Sequence, residues 1–288
     1  MARQTDHRTP PTRPLSERRQ KPRLEDPRWR TAITQIEPNS IVIRGYPVDE
    51  MMGRVSFAEA IFLILRGELP TPSIGKLFGA ALVSSIDHGV TPPSTIAARN
   101  VATSGAPLRA CVAAGVLGFG MYHGGDVESC MRFIGEALAL VRGGASPQAA
   151  AEQVVKACLE NTQKLPGFGH RIHTSDPRAS RLLQMAHELE LDGEYVRMVR
   201  GMERVLAARP DAADRPMPLN VDGAIAAVCG DMGFEPEVGN AIFIMARIPG
   251  LIAHANEERS RQAPMRQIDP KDAQYDGPRP RRLPETRK

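Results

Sequence analysis

The sequence predicts an all-α fold. Three observations lead there. About ten stretches carry apolar residues at three-to-four spacing, the period of an amphipathic helix. Prolines, glycines and capping residues open or close most of them. Against these stands a single short β-branched run, Ile41-Val42-Ile43, far from the average mixture of helix and strand.

Taken in order, Met1–Arg30 is rich in Arg, Pro and Thr and poor in apolar residues, which predicts a disordered basic arm. Thr31–Tyr46 contains the β-branched run followed by Arg44-Gly45-Tyr46 and reads as a small strand or hairpin. Ser56-Phe57-Ala58-Glu59 is a capping box, so a helix starts there and stops near Gly67. Pro72–Asp87 is amphipathic, with Gly89 placed to close it. Ser94–Thr103 and Pro107–Tyr122 follow. The second is small and apolar with three glycines, so it is expected to be buried on most sides. Asp126–Val141, Pro147–Asn161, Pro177–Leu191, Glu194–Ala208, Val221–Cys229, Pro236–Ala246 and Gly250–Arg261 complete the helices. Asp269–Lys288 is a basic, Pro-rich tail.

The 288-residue chain has a formal net charge of +4, and much of its excess charge lies near the ends. That argues against a basic face for nucleic acid on the folded body. Cys111, Cys130, Cys158 and Cys229 form no C-x-x-C pair and three lie in apolar runs, as expected of buried, reduced thiols. No secretory h-region is visible, and glycines and charges interrupt every apolar stretch before it reaches membrane-spanning length. The expectation is a soluble, cytoplasmic protein.

Leu165–Arg178, LPGFGHRIHTSDPR, is the most informative segment. Glycines bracket Phe168, so the backbone can turn tightly and pass close to a ligand. Asp176-Pro177-Arg178 reads as a helix start, with Asp as N-cap and Pro at the first helical position. An imidazole, a guanidinium and a helix N-terminus in one segment suit a small polycarboxylate; the alternative is a Gly/Pro-rich surface loop. His88, His123, His170 and Asp222 each adjoin a glycine at a helix boundary, where a side chain can face a cleft. His7, His173, His187 and His254 lack that combination; His187 and His254 read as helix-face residues. Arg178, Arg247 and Arg266 supply cations. Arg247 lies among apolar residues and needs a partner, either a structural salt bridge or a bound carboxylate. No H-x-x-x-H or H-E-x-x-H pattern occurs, so no metal is expected. Ser73–Lys76 fits S-x-x-K without its partner motifs. There is neither a dinucleotide fingerprint nor a P-loop.

The order of these pieces resembles the citrate synthase superfamily. It runs Ile-x-Ile-Arg-Gly-Tyr (41–46), the Ser56–Pro70 helix ending GELP, Asp87-His88-Gly89 and His123-Gly124-Gly125. Gly167-Phe168-Gly169-His170-Arg171, Asp176-Pro177-Arg178, Asn220-Val221-Asp222 and Ala246-Arg247-x-Pro-Gly follow. The resemblance covers roughly Trp29 to Ile268. It implies a large helical domain (31–165 and 246–268) and a small one (about 166–245) closing over a cleft, in a homodimer. It implies that His123 and Asp222 enolise an acyl-CoA methyl group and that His170 handles the keto or hydroxyl oxygen. His88, Arg178, Arg247 and Arg266 would hold carboxylates, Arg266 coming from the partner subunit. Leu165, Gly167, Phe168, Gly169 and Arg171 would contact coenzyme A, which is the carrier part of a thioester substrate and not a resident cofactor. No metal would be required.

Two departures refine this. Asn220-Val221-Asp222-Gly223 stands where synthases continue with an aromatic residue, and it looks like citryl-CoA lyase and the lyase module of ATP-citrate lyase, as does the short form. Asp126 stands where the family commonly has a small residue. The expected activity is reversible cleavage of citryl-CoA, or a close analogue, to acetyl-CoA and oxaloacetate. The alternatives are a synthase that hydrolyses its thioester and a non-catalytic CoA-ester-binding relative.

Overall fold

The computed structural model describes residues 29–120, 122–124, 126–161, 165–170 and 173–283. The expected basic arm falls almost wholly on residues 1–28, outside the described residues.

The chain enters through a three-stranded antiparallel meander, β1 (Thr34–Glu37), β2 (Ser40–Ile43) and β3 (Tyr46–Pro47), registered as Thr34 opposite Ile43 and Val42 opposite Pro47. Arg44 ties it down: its guanidinium donates to Ile64 O at 2.8 Å and Ala32 O at 3.2 Å. The helices are α1 (Val48–Met51), α2 (Phe57–Arg66), α3 (Pro72–Ser84), α4 (Pro93–Thr103), α5 (Leu108–Leu117), α6 (Asp126–Arg142) and α7 (Pro147–Glu160). After them come α8 (Pro177–Glu188), α9 (Glu194–Ala207), α10 (Val221–Asp231) and α11 (Pro236–Arg261). A 3-10 turn, Pro270–Asp272, lies in the exposed tail.

The caps follow from side-chain chemistry. Ser56 accepts from Glu59 N while Glu59 returns a bond to Ser56 N, the predicted capping box. Thr71, Ser146, Asp176 and Asn220 cap α3, α7, α8 and α10. One core joins α2, α3 and α6 through α11. At its α2–α3 end, Phe62 meets Phe78 and Phe234 edge-on at 5.6 and 5.4 Å, and Phe78 stacks on Phe234 at 5.6 Å. A smaller cluster, Ala102, Cys111 and Ala255, joins α4, α5 and α11. The central element is α10. From Val221 to Cys229 every residue is buried except Asp222. A helix apolar on nearly all sides belongs inside a protein, and this one carries its two acids at its ends, Asp222 in the first turn and Asp231 in the last.

Three expectations need correction. Helix α3 ends at Ser84, short of Asp87, and Ser85–Gly89 forms a separate turn. Helix α5 ends at Leu117, because Gly118–His123 folds into a tight turn closed by paired backbone bonds between Gly120 and His123. Only Cys111 and Gly115 of α5 are buried, so it is not enclosed within this chain. Finally, α11 is one helix of 26 residues running through Pro249. Proline removes one bond of the helical ladder, but Ala246, Arg247, Gly250 and Leu251 are buried on both sides of it, and that packing holds the helix together. Undivided, α11 is long and apolar enough by length and composition to cross a membrane, contrary to the sequence reading. Nearly half of that stretch is buried inside the fold, where α11 packs on α4, α5 and α6.

Phe78 is fully buried at the centre of the ring cluster. Phe78→Ala is expected to lower the free energy of unfolding by about 3–5 kcal/mol, read from urea denaturation at constant m-value.

Candidate active site

The site begins with a close approach of two backbones. Gly167 has φ +80°, and a Cβ there would lie 2.5 Å from Cys130 Sγ and 2.7 Å from Gly223 Cα. A Cβ on Gly223 would lie 2.5 Å from Gly167 O. The turn before His170 and the first turn of α10 therefore meet with no side chain between them. Asn220 fastens them. Its N–H donates to Gly167 O at 3.0 Å and its Nδ2 to Gly169 O at 2.9 Å. Its Oδ1 accepts from Asp222 N and Gly223 N at 3.0 and 3.1 Å, capping α10.

Asp176 makes a second fastening. Its carboxylate accepts from Arg178 N at 3.0 Å and Val221 N at 3.1 Å, joining the N-termini of α8 and α10. It also takes the Arg178 guanidinium in a bidentate pair at 3.0 and 2.8 Å. Burial pushes the Asp176 carboxyl up, but the bonds from Arg178 outweigh it and the group stands below its ordinary value.

Around these fastenings lies a cleft of about 690 Å³. His88, His123, His170, Arg178, Asp222 and Arg247 all line it, although they come from six separate places in the chain. Phe168, Gly169, Asp126, Asn220 and Phe243 complete part of its wall.

His123 stacks on Phe119 at 5.0 Å with the rings 9° from parallel. Its Nε2 is 2.7 Å from Ser94 Oγ, leaving Nδ1 as the nitrogen open to a ligand. His170 Nδ1 accepts from His173 N at 3.0 Å, which favours the neutral ring with its hydrogen on Nε2. The His173 ring lies 4.3 Å from it, tilted by 32°.

Arg247 is 2% exposed. Its Nε donates to Ser85 O at 2.7 Å and its guanidinium lies 5.1 Å from the centre of the Phe243 ring. Among the described residues no carboxylate comes within salt-bridge distance of it. Among the described residues, therefore, Arg247 is held by a carbonyl and a ring face and by no close carboxylate, on the wall of the cleft.

These cations act on the histidines. Burial lowers the pKa of His88, and Arg247, Arg178 and His170 lower it further. Burial, Arg247 and His88 do the same to His123. His170 is lowered by burial and then by His173. All three imidazoles are thus set to be neutral at pH 7 beside two guanidinium groups.

The other predicted residues stand elsewhere. Leu165 is fully buried, and it and Gly167 support the turn without reaching the cleft. Arg171 lies outside the described residues. Arg266 is away from this cleft, paired with Glu258, with its backbone N–H on Thr103 Oγ1 at 2.8 Å. Ser73 and Lys76 belong to the first turn of α3, outside the cleft. Exposed His187 pairs with Asp192 at 3.3 Å and borders a smaller cavity of about 390 Å³ behind Asp176. Among the described residues no group of three His, Cys, Asp or Glu could hold a metal ion. Sequence reasoning assigned no role to Ser94 or Phe119. It quoted Asn220 only within a motif, although Asn one residue before a buried helix is a cap signal.

The fold is mostly helical, and its cleft gathers three imidazoles, two guanidinium groups and the Asp222 acid. The chain belongs to the citrate synthase family: the family described as "Citrate synthase, C-terminal domain" matches residues 70–268. It is 30% identical over 226 residues to citrate synthase 2 of Bacillus subtilis, covering 77% of this chain and 56% of that protein. It is 29% identical over 247 residues to 2-methylcitrate synthase of Mycobacterium tuberculosis, covering 84% and 58%. The chain thus spans little more than half the length of these curated relatives. Among solved structures, citryl-CoA lyase from Hydrogenobacter thermophilus superposes with a TM-score of 0.80 at 44% identity, covering 89% of this chain and 97% of that one. Citrate synthase from Pyrobaculum aerophilum superposes with a TM-score of 0.65 at 27% identity, covering 80% and 56%.

Two outcomes are expected. Gly223→Ala forces the α10 turn off Gly167 and lowers stability by about 1–3 kcal/mol, measured by thermal unfolding. Titration of labelled imidazoles by NMR places His88, His123 and His170 below about 6.5; a value above 7 for any of them overturns the electrostatic account of the cleft.

Proposed function

We propose that this chain is a citryl-CoA lyase-type enzyme, cleaving citryl-CoA or a close analogue reversibly to acetyl-CoA and oxaloacetate. The observation that carries the reading is the 44% identity to a citryl-CoA lyase over 97% of that protein's length. The cleft supports it with a full set of acid–base and anion-binding groups.

In this reading His88, Arg178 and Arg247 hold the carboxylates of the keto-acid end and offset their charge. Cleavage begins as the tertiary hydroxyl gives its proton to His170 and the carbon–carbon bond breaks. The thioester end leaves as an enolate whose oxygen takes a hydrogen bond from His123 Nδ1–H. Asp222 enters the step protonated and delivers its proton to the enolate carbon, giving acetyl-CoA. The bond from His173 N to His170 Nδ1 favours a ring with its hydrogen on Nε2. That form donates to the keto oxygen of oxaloacetate, which is what the condensing direction asks of it. Cleavage then requires the Nδ1 contact to be exchanged. Phe168 and Gly169, on the turn that Leu165 and Gly167 support, serve the thioester arm together with Arg171. A small lobe of about 166–245 closes over the site, and a homodimer brings Arg266 to the partner's cleft.

A second reading is a synthase that condenses an acyl-CoA with a keto acid and hydrolyses the thioester. The curated relatives at 29–30% identity favour it, being citrate and 2-methylcitrate synthases.

The test is product analysis by mass spectrometry. Citryl-CoA is expected to yield oxaloacetate and intact acetyl-CoA with no free CoA. Free CoA and citrate from acetyl-CoA plus oxaloacetate make the protein a synthase. Asp222→Ala is expected to reduce turnover about 10²–10⁴-fold with an unchanged circular dichroism spectrum; surviving turnover removes Asp222 from the proton transfer.

A further inference from the structure

His88 reaches the cleft from the Ser85–Gly89 turn, and one face of α11 grips that turn at three places. Arg247 Nε holds Ser85 O at 2.7 Å. One turn on, Gly250 lies flat against it: a Cβ there would be 2.6 Å from both Ile86 O and Asp87 Oδ1. One further turn on, His254 Nε2 is 3.1 Å from Asp87 Oδ1. Residues 247, 250 and 254 share one helix face by their spacing. Asp87 uses its other oxygen to accept from Gly89 N at 2.9 Å, so its carboxylate spans the residue that faces the cleft.

The His254 contact has the character of a built bond. The side chain is mostly enclosed, and its Nδ1 is buried with no hydrogen-bond partner among the described residues, Glu257 Oε2 lying 3.9 Å away. Burial of a nitrogen without a hydrogen bond is costly, so the bond from Nε2 to Asp87 is the hydrogen bond that anchors this ring among the described residues.

We propose that His254 is a positioning residue for carboxylate binding. Through Asp87 it fixes the turn that sets His88 in the cleft, so that His88 and Arg247 meet one dicarboxylate from fixed places on the same helix-backed wall. The ligand assignment rests on the lyase reading above; the link from His254 through Asp87 to His88 does not.

The experiment uses the full chain and two variants, His254→Ala and His254→Gln. Glutamine keeps an N–H donor for Asp87, whereas alanine removes it. Oxaloacetate is the calorimetric probe, and the His88 imidazole is followed by ¹⁵N NMR, assigned with His88→Asn. His254→Ala is expected to bind oxaloacetate about tenfold more weakly and to shift or broaden the His88 resonance. His254→Gln is expected to stay within about threefold of wild type with His88 unmoved. Thermal unfolding of both variants separates this from loss of fold, because a merely structural role lowers the midpoint without rescue by glutamine. Wild-type affinity and an unmoved His88 in His254→Ala, or equal loss in both variants, overturns the proposal. If the wild-type protein binds no oxaloacetate, the functional reading fails and the His88 resonance alone decides. Movement in alanine but not in glutamine supports the link, and no movement in either removes it.

Discussion

Everything at the site hangs on the contact between Gly167 and Gly223. Two backbones can touch this way only where both lack a Cβ. That proximity lets one side chain, Asn220, bond Gly167 and Gly169 on one segment and cap α10 on its own. Asp176 repeats the device from α8, so three chain segments converge on one point. His170, Arg178 and Asp222 project from that point. Their arrangement is set by backbone bonds, with little left to side-chain freedom.

The cleft built on this frame sets Arg178 and Arg247 beside Asp126 and Asp222. Arg178 is balanced by Asp176, whereas buried Arg247 is held at close range by Ser85 O and the face of Phe243, with Asp87 and Asp222 attracting it from further off. Such a charge is stable when an anion completes it. Burial first, and neighbouring cations after it, lower the pKa of three nearby imidazoles: Arg247 and Arg178 act on His88, Arg247 on His123, and His173 and Arg178 on His170 against the pull of Asp176.

Local chemistry was legible in the sequence. The capping box at Ser56, the Asp176-Pro177 helix start, the Val221–Cys229 helix and the glycine-flanked titratable residues can all be read from neighbours within four or five positions. Their gathering was legible only through the family resemblance, because the pairing of His123 with Ser94, or of Arg247 with Ser85, spans 29 and 162 residues. The misread ends have a common physical reason. Pro249 and Gly250 look like a stop, yet tertiary packing carries α11 through them. Gly89 looks like the close of α3, yet Arg247 and His254 claim the residues before it for a separate turn. The apolar, glycine-rich segment after Pro107 looks enclosed because composition does not tell which surface will cover it.

The Asn-Val-Asp-Gly turn is the feature by which the sequence separated a lyase from a synthase, and the structure gives its glycine a packing cause. A side chain there would strike Gly167 O, so this chain needs glycine to keep the two backbones in contact. The residue is nonetheless more than filler. By letting α10 start against the Gly167 turn, it sets where Asp222 stands relative to His170, the two groups to which the proposed mechanism gives the two proton transfers. Hydrolysis of the thioester asks for something else, namely a water placed at the acyl carbon. Asp126, a charged residue where the family commonly has a small one, lines the same cleft.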